Sequence, residues 1–190
     1  MDAAGVCKRA SCGPGRGRAA NVATIAIALG LAWGLKAFYS RATFEDLLWI
    51  LSPTRRLVEW WTGTRFAPEP GQGFLSRSLM YQIVPACAGV NFMIVAFTSL
   101  VCGLIHTCST WVARLQLLVA SASAAYVATS LANATRIAIA MRLHESAASF
   151  GPFTPGRLHC AEGVAVYLVF LCALFAVGAC LTGAQRDFSL

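Results

Sequence analysis

Apolar residues in this chain come in long unbroken runs rather than at a clean helical or alternating period, and four of the runs are long enough to be read as membrane spans. At about 1.5 Å of rise per residue, a helix needs about 20 largely apolar residues to cross a bilayer, and a charge near its centre is costly. The first run covers about 22–39 (VATIAIALGLAWGLKAFY), with Lys36 close enough to one end to snorkel to the headgroups. The second covers about 82–105, in the charge-free stretch between Arg77 and Arg114. The third covers about 115–138, uninterrupted from Leu115 to Thr135 and closed by Arg136. The fourth covers about 158–181, with no charge between Glu162 and Arg186. Between the first two, about 44–62 mixes Leu47, Leu48, Trp49, Ile50, Leu51, Trp60 and Trp61 with Arg55, Arg56 and Glu59. This predicts one or two short interfacial helices broken at Pro53, with tryptophans at headgroup level. The segment Ala67 to Gly73 (APEPGQG) predicts a loop. The expected fold is an all-α integral membrane protein with four spans: a disordered basic tail over 1–20, one transmembrane helical domain over 21–185 and a short tail over 186–190.

Composition fits this picture. The 190 residues are 57% hydrophobic and 12% charged, about half the charge of a soluble domain. The formal charge of +7 raises nucleic acid as a partner, but the fifteen Lys and Arg are spread along the chain and make no aromatic-interleaved basic face, so nucleic-acid binding is not expected. Most of the eight Cys lie inside apolar runs, where a thiol behaves as a small hydrophobe rather than as half of a disulfide framework. No CxxC pair and no Cys/His set at zinc spacing occurs, so neither a dithiol centre, nor a metal, nor another cofactor is implied.

Lys8, Arg9, Arg16 and Arg18 precede the first span, whereas Arg41 on its far flank is followed at once by Glu45 and Asp46. The positive-inside rule then places the N-terminus in the cytoplasm and makes the long segment after the first span extracytoplasmic. No small-residue cleavage pattern follows the first apolar run directly, so it reads as an uncleaved anchor rather than a signal peptide.

With four spans, the start of the second, the end of the third and the start of the fourth share one side of the membrane. That connectivity gathers Cys87, Arg136 and His159: a potential nucleophile, a fixed cation and an acid/base. Each residue has an ordinary explanation as packing, interfacial anchor or headgroup contact. Their joint placement points further, because a thiol attacks as thiolate and needs a nearby cation or imidazole to form one at neutral pH. Glu162, three residues after His159, shares its helix face and could orient the imidazole, or be an interfacial acid without a role. Asn91 and Asn133 are polar groups near span ends, expected to bond between helices and support the site.

At the same residues the sequence resembles the exosortase/archaeosortase family of membrane cysteine transpeptidases. The matching stretches are Pro85-Ala86-Cys87-Ala88-Gly89-Val90-Asn91-Phe92, then Asn133-Ala134-Thr135-Arg136-Ile137, then His159 with Gly163 four residues on. They correspond to the family's Cys in a C-x-G context, its Arg in N-x-x-R-I and its downstream His near a helix start. The short length and the GVNF after the Cys are similar to the compact exosortase K subgroup, and the resemblance covers about 50–180. It implies a bacterial inner-membrane enzyme with its site facing the periplasm. Its partners would be exported proteins ending in a sorting tail, made of a short signature such as PEP (PEP-CTERM-like tails), a single span and a basic cluster. Carried over, Cys87 is the nucleophile that forms a thioester, His159 the acid/base and Arg136 the oxyanion-stabilising group, and the new carboxyl end passes to an unidentified surface acceptor.

Two other readings remain. A four-helix thiol oxidoreductase would pair Cys87 with Cys160. A non-enzymatic helical membrane subunit or haem bundle would draw on His106, His144 and His159, although the spans put His106 on the opposite side from the other two.

Overall fold

The computed structural model describes residues 14–77, 79–145 and 155–187, with side chains over 17–77, 79–143 and 161–180. Among them are five α-helices: α1 (Pro14–Tyr39), α2 (Leu48–Thr62), α3 (Val90–Leu104), α4 (Trp111–Glu145) and α5 (Pro155–Asp187). Four segments are long and apolar enough to cross a membrane: Gly17–Tyr39, Pro85–Thr107, Trp111–Leu143 and Ala161–Cys180. The last is the most apolar, yet scarcely any of it is buried within the protein. Trp33, Val164, Leu168 and Val169 are likewise more than half exposed. Large apolar side chains pointing outward all along a helix are stable only where the surroundings are lipid. The protein is a multi-pass, all-α membrane protein.

α3 is the central helix, packed against α1, α4 and α5, while α2 lies across α4. Close approach relies on small residues, as expected where lipid leaves no hydrophobic drive between helices. Ala125, Ala128 and Ala132 form a buried stripe on α4. Gly103 on α3 accepts the Phe175 ring of α5, which a Cβ there would meet at 2.5 Å. The spans' hydroxyls turn back on their own helices: Thr129 donates to the Ala125 carbonyl at 2.6 Å and Thr98 to that of Ile94 at 2.8 Å.

The segment between α1 and α3 departs most from expectation. The short helix expected there is present, opened by a reciprocal cap: Thr43 donates its N–H and hydroxyl to Asp46 Oδ2 at 2.9 and 2.8 Å, and Asp46 N–H faces Thr43 Oγ1 at 3.5 Å. Those bonds hold the Asp46 carboxyl below its ordinary range. Leu47, Ile50, Leu51, Thr54 and Val58 bury one face of the turn and helix, and Trp60 stands out on the other. Pro53 was expected to break the helix, but it lies inside α2. A proline cannot donate to the carbonyl four residues back, here that of Trp49. That carbonyl accepts instead from the Tyr126 hydroxyl of α4 at 2.9 Å, with the Tyr126 ring stacked on Trp49 at 5.9 Å. The bond that proline removes from α2 thus becomes a tie between α2 and α4. Tyr126→Phe should leave the stack and lose the tie, lowering stability by about 1 kcal/mol in a thermal unfolding measurement.

The predicted loop over 67–73 is instead part of a small antiparallel sheet, β1 (Ala67–Glu69), β2 (Gly73–Ser76) and β3 (Tyr81–Ile83), in the order β1-β2-β3. Proline and glycine signalled a turn, and the turn is there over 70–72, but tertiary docking recruits its flanks into strands. Glu59 Oε1 takes the Phe66 N–H at 2.9 Å and pairs with Arg55 at 3.0 Å. Arg55 lies over the Phe74 ring at 5.0 Å, and Phe44 meets the same ring edge-on at 5.1 Å. The sheet is thereby fastened to α2. Two other boundaries move: α1 begins at Pro14, inside the tail expected over 1–20, and the second span is not helical from residue 82 but enters α3 only at Val90.

Candidate active site

Cys87 was expected within a spanning helix; it lies instead in a 3-10 turn, Pro85–Ala88, that joins β3 to α3. Two residues enforce this. Pro85 follows the extended Val84 and opens the turn, and Gly89 adopts φ +66, a left-handed conformation that closes it. The Cys87 N–H donates to the Val84 carbonyl at 2.8 Å, leaving the half-buried thiol on a tight bend at the end of the bundle. Gly89 has a second reason to be glycine, because a Cβ there would collide with the side-chain amide of Asn133, which α4 presses against the bend.

Asn133 therefore packs against the turn that carries Cys87, and it reaches further. Its Oδ1 accepts a 2.6 Å hydrogen bond from the Tyr167 hydroxyl of α5. Tyr167 in turn accepts from Arg136 Nη1 at 3.4 Å, stacks on Phe92 at 4.9 Å and carries the Arg136 guanidinium over its ring at 5.8 Å. One phenol thus links the turn of Cys87, through Asn133, to the cation of Arg136. Gly163 completes the seat: a Cβ at that position would stand 3.0 Å from Arg136 Nε. The glycine four residues after His159 is there because the guanidinium lies against the α5 backbone.

Electrostatically these groups form one set. Arg136 feels Tyr167, Cys87 and Glu162. Tyr81 of β3 is pushed up to about 12, chiefly by burial and then by Cys87, with Arg136 opposing and Glu162 adding to the rise. It remains a neutral phenol, a hydrogen-bond donor, throughout the physiological range. Tyr39 at the end of α1 lies within electrostatic reach of Cys87 and Tyr167. Asn91, the other proposed support, accepts a 2.7 Å hydrogen bond from Lys36 and so ties α3 to the end of α1 rather than to Arg136. His159 lies in α5, one helical turn before Gly163, but its side chain, like those of Cys160 and His144, falls outside the described residues. His106 follows the far end of α3 and is not part of the site.

Cys87, Arg136, Asn133 and Glu162 thus come together, while Asn91 is bonded to Lys36 instead. Sequence reading missed Tyr167, Tyr81 and Tyr39. Tyr167 had one available signal, a lone tyrosine in the otherwise apolar run of α5, where a buried hydroxyl needs a partner. Nothing in the sequence pointed to Tyr81, whose place depends on the unexpected sheet. Comparison with known protein families, with curated proteins and with solved structures finds no match for this chain.

Proposed function

We propose that the protein is a membrane-embedded cysteine transpeptidase of the exosortase type, cutting the C-terminal sorting tail of exported proteins and passing the new carboxyl end to a surface acceptor. The observation that carries this reading is a free thiol on the 3-10 turn that precedes α3, in the electrostatic reach of a guanidinium held in a fixed seat. A cysteine without such a role needs neither feature, as Cys102 shows on the exposed face of α3. In the proposed reaction the Cys87 thiolate attacks the scissile carbonyl and Arg136 stabilises the oxyanion. His159 protonates the leaving amine, a thioester remains on Cys87, and His159 then deprotonates the acceptor amine or water that releases it. Glu162 would set the imidazole's orientation. The basic flank of α1 supports placing this end of the bundle outside the cytoplasmic membrane of a bacterium.

The test is trapping. The wild-type protein, reconstituted with an exported reporter ending in a short signature, a span and a basic cluster, should form a covalent adduct that hydroxylamine releases. A disulfide between Cys87 and Cys160 that forms in place of the adduct would favour the oxidoreductase reading.

A further inference from the structure

The sheet supplies a structure next to Cys87 that the proposed chemistry does not use. Its two edges are built differently. β1, at one edge, contains Pro68, which has no N–H to offer a further strand and so blocks pairing. β3, at the other edge, contains no proline and pairs only with β2 among the described residues. Gly73 fixes the direction of its main-chain groups. A Cβ on that β2 residue would run into the Ile83 carbonyl, so Ile83 turns its polar groups toward β2. Successive residues of a strand alternate, so Gln82 turns its N–H and C=O the other way, to the open edge. From there the chain runs through the extended Val84 straight into the turn of Cys87.

The faces of the strand agree with this placement. Ile83 is fully buried, and Tyr81, on the same face by alternation, lies within the electrostatic reach of Cys87, Arg136 and Glu162. A strand added beside β3 would rest alternate side chains on the site and point the others outward. At about 3.3 Å per residue, three residues of such a strand match β3 and bring the next carbonyl to the level of the Cys87 turn.

We infer that the outer edge of β3 is the substrate-binding edge: an extended peptide segment adds to the sheet there by exchanging main-chain hydrogen bonds with Gln82, which carries its scissile carbonyl to Cys87. The occupant is a peptide in extended conformation, because a donor and an acceptor of one strand residue, flanked by residues that face away, match another strand and neither a helix nor a lipid tail. The inference rests on the reading of Cys87 as a nucleophile and adds how the substrate backbone is recognised. Recognition through the main chain leaves side-chain selection to the face of Tyr81 and to the outward surface.

A probe that needs only a reactive thiol tests it. Capped Ala-Ala-Ala chloromethyl ketone, with each peptide N–H methylated in turn, is applied to the full-length protein, and alkylation of Cys87 is timed by mass spectrometry. A capped single-alanine chloromethyl ketone serves as the control. The tripeptide should react faster than the control, one methylated position should lose about 3- to 10-fold, and its neighbours should be tolerated. Gln82→Pro, which removes the outward N–H but leaves the β2 ladder, should lower the tripeptide rate by a similar factor without changing the control rate. Gln82→Ala should change neither. A flat methylation series, or a Gln82→Pro protein that retains the tripeptide rate, overturns the inference and leaves the transpeptidase reading intact. If the control itself fails to label Cys87, the thiol is not a nucleophile and both fall together.

Discussion

Cys87→Ser is expected to abolish cleavage of a tailed substrate, a loss on the order of 10⁵- to 10⁶-fold that leaves only uncut precursor. The hydroxyl fits the space of the thiol, so the 3-10 turn between Pro85 and Gly89 should persist and the protein should accumulate normally. What disappears is the intrinsic nucleophilicity of sulfur, since a serine hydroxyl needs a strong base to attack a carbonyl at a comparable rate. Cys160→Ala is the matched control. Cys160 is the direct neighbour of His159 in sequence, the other thiol closest to the proposed acid/base. Its replacement should cost no more than a small packing loss. Gel separation of precursor and product, with the hydroxylamine-sensitive adduct as a second readout, gives the answer. An adduct that survives Cys87→Ser and vanishes with Cys160→Ala would move the nucleophile to α5.

The spans were legible because a charge-free run of bilayer length has no other comfortable solvent, and the helix α2 because its Leu and Trp alternate with Arg and Glu at helical spacing. The convergence of Cys87 with Arg136 was also legible, from connectivity alone: consecutive spans must return to the same side. Local geometry was less so. Pro53 reads as a break in any single-chain view, and only a hydroxyl 73 positions downstream, that of Tyr126, makes it tolerable inside α2. The Pro-Gly segment reads as a loop because the residues that turn it into a sheet, Glu59, Arg55 and Phe44, belong to other elements. That sheet in turn explains why Cys87 is not helical: β3 continues to Ile83 and must reverse before α3 can start. Glycine gave the opposite lesson. Gly89 and Gly163 were visible as part of a motif, but their reasons, the Asn133 amide and the Arg136 guanidinium, come from distant spans.

Arg136→Lys is the second large effect, expected to slow turnover about 100-fold with the protein still inserted and stable. An interfacial anchor needs only a charge on a long stem, which lysine provides as well as arginine. The seat around Arg136 asks for more. One nitrogen reaches the Tyr167 hydroxyl at 3.4 Å, the planar group lies over the Tyr167 ring at 5.8 Å, and the Nε side lies against Gly163, where a Cβ would stand 3.0 Å away. A lysine ammonium has neither the plane nor the fork, so it can keep the charge near the site without holding it where an oxyanion would form. Two further variants separate position from charge. Gly163→Val leaves Arg136 in place but pushes its guanidinium out of the seat, and Tyr167→Phe keeps the ring while removing the hydroxyl. Both should lower kcat by about tenfold or more with KM little changed, since a cation displaced by a fraction of an ångström stabilises the transition state less while the bound peptide is held elsewhere. Wild-type turnover by Arg136→Lys would return the residue to the role of an anchor. A double variant that loses no more than Arg136→Lys alone would show that the two substitutions disturb one element, the orientation of a single guanidinium in the electrostatic reach of Cys87.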